Sequence, residues 1–179
     1  MLVSRVLLVQ FRRATLADVP AVVALVESAY RGDASRAGWT TEADFLEGRR
    51  TDDAEVKSCI ERERGMILLA EDGGAIVACA NVAEEDGAGY FGMFSVVPTQ
   101  QGGGIGSRVL AEAERIVRAE WKLPVMRMTV IDIREELAAF YVRRGYTRTG
   151  LKKPFPYGDE RFGVPKRADL QFEVLEKTL

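Results

Sequence analysis

The chain has 179 residues, enough to bury one substantial core, and sets 25 lysines and arginines against 27 aspartates and glutamates, a formal charge of −2. That balance leaves no basic face for nucleic acid, so no such partner is expected. Cys59 and Cys79 form no Cys-x-x-Cys pair and the chain has no histidine, so neither a disulfide framework nor a metal site is expected.

Residues 1–10 are apolar but too short to span a membrane, and they lack the small-residue cleavage site of a secretory signal. They read as an uncertain N-terminal extension ahead of one domain over residues 11–179. No membrane partner is expected, and the cytoplasm is the default location. Phe11-Arg-Arg-Ala-Thr-Leu-Ala-Asp18 reads as a strand entering a helix over 16–31, with Thr15 and Asp18 as a capping-box-like pair. Val19, Val22, Val23, Val26 and Tyr30 form its apolar face. Two further helices are expected around 41–48 and 53–64. Residues 66–70 and 75–82 read as strands joined by Asp72-Gly-Gly74, with Cys79 a small core residue. Glu84-Glu-Asp-Gly-Ala-Gly89 reads as a turn into a strand over 90–97.

A helix carrying Val109, Leu110, Ala113, Ile116 and Val117 follows, and Val125–Ile131 alternates like a buried strand. Asp132 reads as an N-cap with Glu135 as its capping-box partner, opening a helix over 134–144 that Gly145 stops. A strand begins at Tyr146, residues 154–158 read as an irregular loop, and 169–175 alternates well enough for a final strand.

Between the strand over 90–97 and the helix after it lies Val97-Pro-Thr-Gln-Gln-Gly-Gly-Gly-Ile-Gly-Ser107. A strand, a glycine-rich turn and a helix in that order point backbone N–H groups at one spot, where the helix dipole adds partial positive charge. Such a spot suits a phosphate or pyrophosphate. The P-loop is excluded because no lysine follows any of these glycines. The dinucleotide fingerprint is excluded because its third glycine falls on Ser107. What remains is Gln101-x-x-Gly104-x-Gly106.

That pattern resembles the acetyl-CoA loop of the GNAT N-acetyltransferases, whose signature is Gln/Arg-x-x-Gly-x-Gly/Ala. Downstream, Tyr141-Val-Arg-Arg-Gly145-Tyr146 resembles the family's Tyr-x-x-x-Gly-Phe/Tyr helix end. An asparagine often stands seven places before that tyrosine in the family, where this chain has Arg134. The resemblance covers roughly residues 11–150. It implies an α/β (α+β) GNAT fold, a mixed central sheet whose two parallel strands splay apart, flanked by helices.

The same resemblance implies an acyl-CoA-dependent N-acetyltransferase, with acetyl-CoA as co-substrate and direct attack by an amine in a ternary complex. The cofactor would lie between the strands over 90–97 and 125–131. Backbone groups of Phe94, Ser95 and Val96 would meet its pantetheine as an added strand would, and Gln101, Gly102, Gly103, Gly104, Ile105, Gly106 and Ser107 would meet its pyrophosphate. Tyr141 is the expected general acid; its alternative is a core aromatic. Glu84 and Glu85 are the candidate bases, although the same residues read as an ordinary solvated turn. Trp39, Asn81 and Tyr90 are expected at the acceptor side, with Trp39 otherwise anchoring a loop. A small-molecule amine is the expected partner. Dimerisation is common among similar proteins, so a homodimer is in keeping, though no self-complementary surface is legible. A catalytically silent acyl-CoA-binding module is the alternative function.

Overall fold

The computed structural model describes residues 8–179. Among them, seven strands form one sheet in the order β1-β3-β4-β5-β6-β9-β7. The strands are β1 (Gln10–Arg13), β3 (Gly65–Asp72), β4 (Ala75–Glu85), β5 (Ala88–Val96), β6 (Val125–Ile131), β7 (Thr147–Pro154) and β9 (Gln171–Thr178). A separate two-stranded ribbon pairs β2 (Leu46–Glu47) with β8 (Val164–Pro165). The helices are α1 (Val19–Tyr30), α2 (Gly32–Ser35), α3 (Asp53–Glu61), α4 (Ile105–Arg115) and α5 (Glu135–Val142). No helix of the described residues is long and apolar enough to cross a membrane.

Side chains alternate across the sheet, so each strand feeds two cores. Ile67, Leu69, Cys79 and Met93 pack with Val22 and Val26 of α1 and Val56 of α3. Met66, Leu68, Ala80 and Phe91 pack with Val109 and Leu110 of α4 and Tyr141 of α5. Helices thus cover both faces.

Only β5 and β6 run parallel, and their pairing is confined to Gly89↔Met126 and Tyr90↔Arg127. Beyond Tyr90 the two strands separate. The cause is visible on the other edge of β5, where Asn81 pairs with Gly92 but Cys79 pairs with Ser95. Met93 and Phe94 therefore stand opposite Ala80 alone, a bulge, and Met93 has a left-handed φ of 49°. A bulge bends its strand and leaves a backbone group outside the ladder. Here it opens the cleft between β5 and β6.

Several sequence expectations need correction. Val9 is already buried and Gln10 opens β1, so the fold begins before residue 11; residues 1–7 of the expected extension lie outside the described residues. The expected helix over 41–48 is a turn followed by β2. Tertiary partners outcompete it: the Thr41 hydroxyl meets Ser35 Oγ at 2.6 Å, and Glu42 N–H donates to Tyr30 O at 3.0 Å. The expected turn over 84–89 shrinks to Asp86-Gly87, both at positive φ (49° and 73°), as a two-residue hairpin turn demands.

Asp132 does not cap α5. Its carboxylate accepts from Lys152 Nζ at 3.2 Å and from Gln171 N–H at 3.3 Å. The N-cap position falls to Arg134, and Glu135 instead binds Arg148. Strand β9, inserted between β6 and β7, brings these long-range partners to Asp132, which local reading could not supply. The Thr15–Asp18 capping box is present, with Thr15 N–H donating to Asp18 Oδ2 at 2.7 Å.

Candidate active site

Two cavities flank the bulge of β5 and share Phe94 as a common wall. The first, about 270 Å³, lies where the glycine loop meets α5. Gly102 and Gly104 adopt left-handed φ of 86° and 83°, and Gly104 is the N-cap residue of α4. A Cβ at either would find no atom within 4 Å, so the space over the loop is open. The first helical bond that follows is Arg108 N–H to Gly104 O at 3.3 Å. The N–H groups of Gly106 and Ser107 precede it and have no acceptor within the helix. Both residues face the cavity, so the loop is a cradle whose open space a Cβ would fill. Its chemistry fits the pyrophosphate of a coenzyme A thioester.

Gly106 has a different reason to be glycine. A Cβ there would sit 3.0 Å from Phe94 Cζ and would push on the shared wall. Gln101 does not offer its side chain to a ligand. Its Oε1 accepts Trp39 N–H at 2.9 Å, and its Nε2 donates to Thr40 Oγ1 at 2.9 Å and to Val96 O at 3.2 Å. It binds the 39–40 loop to the end of β5. Trp39 is thereby drawn to Phe140 (centroids 5.6 Å apart) and to the wall of this cavity, not to the acceptor side where the sequence reading put it.

Sequence reading missed Arg144, although it stands inside the Tyr-x-x-x-Gly motif. Its guanidinium lies 3.5 Å over the Phe140 ring. It donates to Ser107 Oγ through Nε (3.0 Å) and Nη2 (2.6 Å), and to Phe140 O through Nη1 (2.7 Å). Burial, followed by the neighbouring Arg143, lowers its affinity for its proton relative to a free arginine. Both arginines line the cavity, so two cations stand opposite the α4 N-terminus, where an anion would lie.

The second cavity, about 200 Å³, is lined by Tyr30, Arg31, Glu42, Arg50, Tyr90, Arg134 and Tyr141 among others. Tyr141 is buried at 4% exposure, with its ring edge-on to Phe140 and Tyr146. Burial is the main cause that pushes its phenol well above 10, and the neighbouring Tyr30 adds to it. The proton is therefore retained at neutral pH. Consecutive residues of α5 thus face different cavities, Phe140 the first and Tyr141 the second. The Tyr30 hydroxyl donates to Phe94 O in a short hydrogen bond, and burial pushes its phenol up to about 12. Glu42 is buried between two arginines, accepting from Arg31 Nη1 and, at 3.0 Å, from Arg134 Nη1.

Of the other sequence-predicted residues, Phe94 and Val96 line the first cavity, as do Gln101, Gly102, Gly104, Ile105, Gly106 and Ser107. Gly103 is exposed on the loop and lines neither cavity, and Ser95 is buried with its hydroxyl on Met93 O at 3.2 Å. Tyr90 lines the second cavity, and its phenol is pushed up by burial. Asn81 lines neither; its Oδ1 is buried without a hydrogen-bond partner, on the sheet face toward α1 that it shares with Cys79. Glu84 and Glu85 do not reach the cavity that holds Tyr141. Glu84 is ion-paired with Arg64, and Glu85 with Arg62 at 3.0 Å. They lie at the far end of β4, where β5 and β6 are still paired.

A sheet split at one parallel pair, with a glycine cradle and a buried tyrosine beside the split, is the arrangement that the resemblance to the GNAT N-acetyltransferases implies. Residues 63–148 match the family described as acetyltransferase (GNAT) domain. That match, with a fold shared over nearly the whole chain, supports an acyl-CoA-dependent N-acetyltransferase. Its fold is similar to that of the ribosomal-protein-alanine N-acetyltransferase of Brucella melitensis, at TM-score 0.72 and 22% identity over 95% of this chain and 99% of that one. It is also similar to a putative phosphinothricin N-acetyltransferase, at TM-score 0.70 and 18% identity over 96% and 98% of the two chains. A third similar structure is a putative streptothricin acetyltransferase of Bacillus anthracis str. Ames in complex with acetyl coenzyme A, at TM-score 0.58 and 15% identity over 69% and 68%. No curated protein matches the chain by sequence.

Proposed function

We propose that the chain acetylates the primary amine of a small molecule, using acetyl-CoA as co-substrate and direct attack with both bound. The observation that carries this reading is the meeting of the two cavities at Phe94. Acetyl-CoA would be held by the glycine cradle, Arg143 and Arg144, and it supplies an activated acetyl group as a thioester. Everything else falls to the protein.

The bulge at Met93 and Phe94 leaves a backbone group of β5 outside the ladder at the mouth of the split. A fixed N–H donor at such a place contributes about 2.7–4 kcal/mol to stabilising a developing oxyanion. Tyr141 holds the proton that a departing thiolate needs. The attacking amine must be neutral, and the chain has no histidine to deprotonate it. The arginines around the second cavity disfavour an ammonium there, so the neutral form is promoted by the field and the proton leaves to solvent. The cavity of about 200 Å³ suits a small acceptor.

The test is calorimetric titration with acetyl-CoA followed by release of free thiol across a panel of amines. Binding with thiol release on one class of amine is the expected result. Binding without release on any amine would favour a silent acyl-CoA-binding module, and absence of binding would remove the cradle assignment. The variant Gly104→Val sharpens the assay. A β-branched residue resists φ of 83°, and its side chain would fill the open cradle. Left-handed backbone alone costs about 1–2 kcal/mol for a residue with a Cβ. Acetyl-CoA affinity should fall by at least about tenfold; affinity within twofold of the parent would place the cofactor elsewhere.

A further inference from the structure

The second cavity holds three guanidiniums, those of Arg31, Arg50 and Arg134, and one carboxylate, that of Glu42. Glu42 is fully committed: Oε2 accepts from Arg31 and Oε1 from Arg134. Arg134 also donates to Thr40 O at 2.8 Å. Arg50 is different. It lines the cavity half-buried, and among the described residues its guanidinium has no hydrogen-bond or ion-pair partner. It lies over the Tyr30 ring, whose centroid is 5.5 Å from the guanidinium carbon.

The nearby carboxylates are occupied by other groups. Glu27 Oε1 accepts the backbone N–H of Arg50 at 2.6 Å and of Thr51 at 2.9 Å, which fixes where Arg50 leaves the chain. Glu55 accepts the Thr51 hydroxyl at 2.7 Å. Glu42 and Glu55 act on Arg50 from a distance, but a cation removed from bulk water without a hydrogen-bonded anion is costly, and an anionic ligand would complete it. The cavity carries two positive charges in excess of its one carboxylate.

We infer that the acceptor carries an anionic group, a carboxylate or phosphonate close to its amine, and that the Arg50 guanidinium docks it. This rests on the reading that the amine enters the second cavity. Tyr30 sets the geometry. The guanidiniums of Arg50 and Arg134 both lie over its ring (5.5 and 5.9 Å to the centroid), and its hydroxyl is anchored on Phe94 O at the shared wall. An anion on Arg50 is therefore held within about one tyrosine length of the place where the two cavities meet. A planar fork of N–H donors matches a carboxylate in two parallel bonds, which fixes the orientation of a small amino acid or similar molecule. Polyamines and other cationic acceptors are rejected by the same field.

Product-like probes test the site without requiring turnover. N-acetylglycine, N-acetyl-L-alanine and N-acetyl-L-methionine, each with its carboxamide counterpart and with N-acetylaminomethylphosphonate, are titrated calorimetrically into protein saturated with coenzyme A. At least one carboxylate or the phosphonate is expected to bind about tenfold to a hundredfold more tightly than the neutral counterparts. Arg50→Gln is expected to erase that preference, Arg50→Lys to restore part of it, and both to leave coenzyme A affinity unchanged. The carboxylate and phosphonate arms tell the two anions apart. No binding by any anionic probe, or a preference that survives Arg50→Gln, overturns the inference. Should the anions bind and lose affinity in Arg50→Gln while the free amino acids are never acetylated, the anion site stands and the transfer reading alone falls.

Discussion

Replacing Tyr141 by phenylalanine is expected to lower kcat by about 10²–10⁴, the range typical of a lost general acid. Acetyl-CoA affinity should stay within twofold, because the phenol faces the second cavity and the cradle is built by other residues. The ring is buried among Phe91, Phe140 and Tyr146, and phenylalanine keeps that packing, so the thermal midpoint should move little. The comparison is made by single-turnover kinetics, which separates the chemical step from product release. Because burial holds the phenol well above 10, the protonated form persists through the alkaline range. Loss of Tyr141's own proton should therefore cause no fall in the parent's kcat below pH 10. Unchanged turnover in the variant would return Tyr141 to the role of a core aromatic.

Glu42→Gln should give the largest loss of stability. The side chains of Arg31, Glu42 and Arg134 are exposed by only 6%, 7% and 8%. Removing the single carboxylate strands two guanidiniums in a desolvated site, and breaking a buried pair in this way typically costs about 3–5 kcal/mol. For a chain of this length that corresponds to a fall in Tm of roughly 6–20 °C. Chemical denaturation monitored by tryptophan fluorescence gives the free energy directly. The double variant Glu42→Gln/Arg134→Leu should recover part of the loss, since it removes one of the stranded charges. A single variant as stable as the parent would show that water already reaches this cluster.

The glycine loop proposed to hold the cofactor was legible because it is local. Glycines at 102 and 104, at the junction of a strand and a helix, permit left-handed backbone and leave open N–H groups whatever surrounds them. The tyrosine motif was legible for a similar reason: one short helix carries it, and the terminating Gly145 has a φ of 94°. Even there the reading was incomplete. Arg144 was in plain view, yet its bond to Ser107 spans 37 residues, and nothing local announces it.

The second cavity, proposed for the acceptor, was legible only in part, at Tyr90 and Tyr141, which line it. Of the two readings of Trp39, acceptor wall or loop anchor, the contacts fit the loop anchor: Gln101, 62 residues away, captures its backbone, and its ring packs on Phe140 beside the first cavity. Glu84 and Glu85, candidate bases or an ordinary solvated turn, lie at the end of the hairpin in ion pairs with Arg64 and Arg62. The other groups that line the second cavity come from separate elements: Tyr30 from α1, Glu42 and Arg50 from the segment expected as helix and loop, Arg134 from the entry to α5. In the sequence Arg134 stands out only as a departure from the family's asparagine. Its contact with Glu42 crosses 92 residues.

The division has a physical origin. Alternation, helical spacing, turn glycines and caps express preferences of a few neighbouring residues, and from them followed the strands, the long helices and the phosphate cradle. The split between β5 and β6, the insertion of β9 and the arginine cluster over Tyr30 depend on bonds between residues tens of positions apart. Such pairings are chosen by packing and charge compensation in the assembled core, so only the tertiary structure could decide that the second cavity is cationic and that Arg50 lines it.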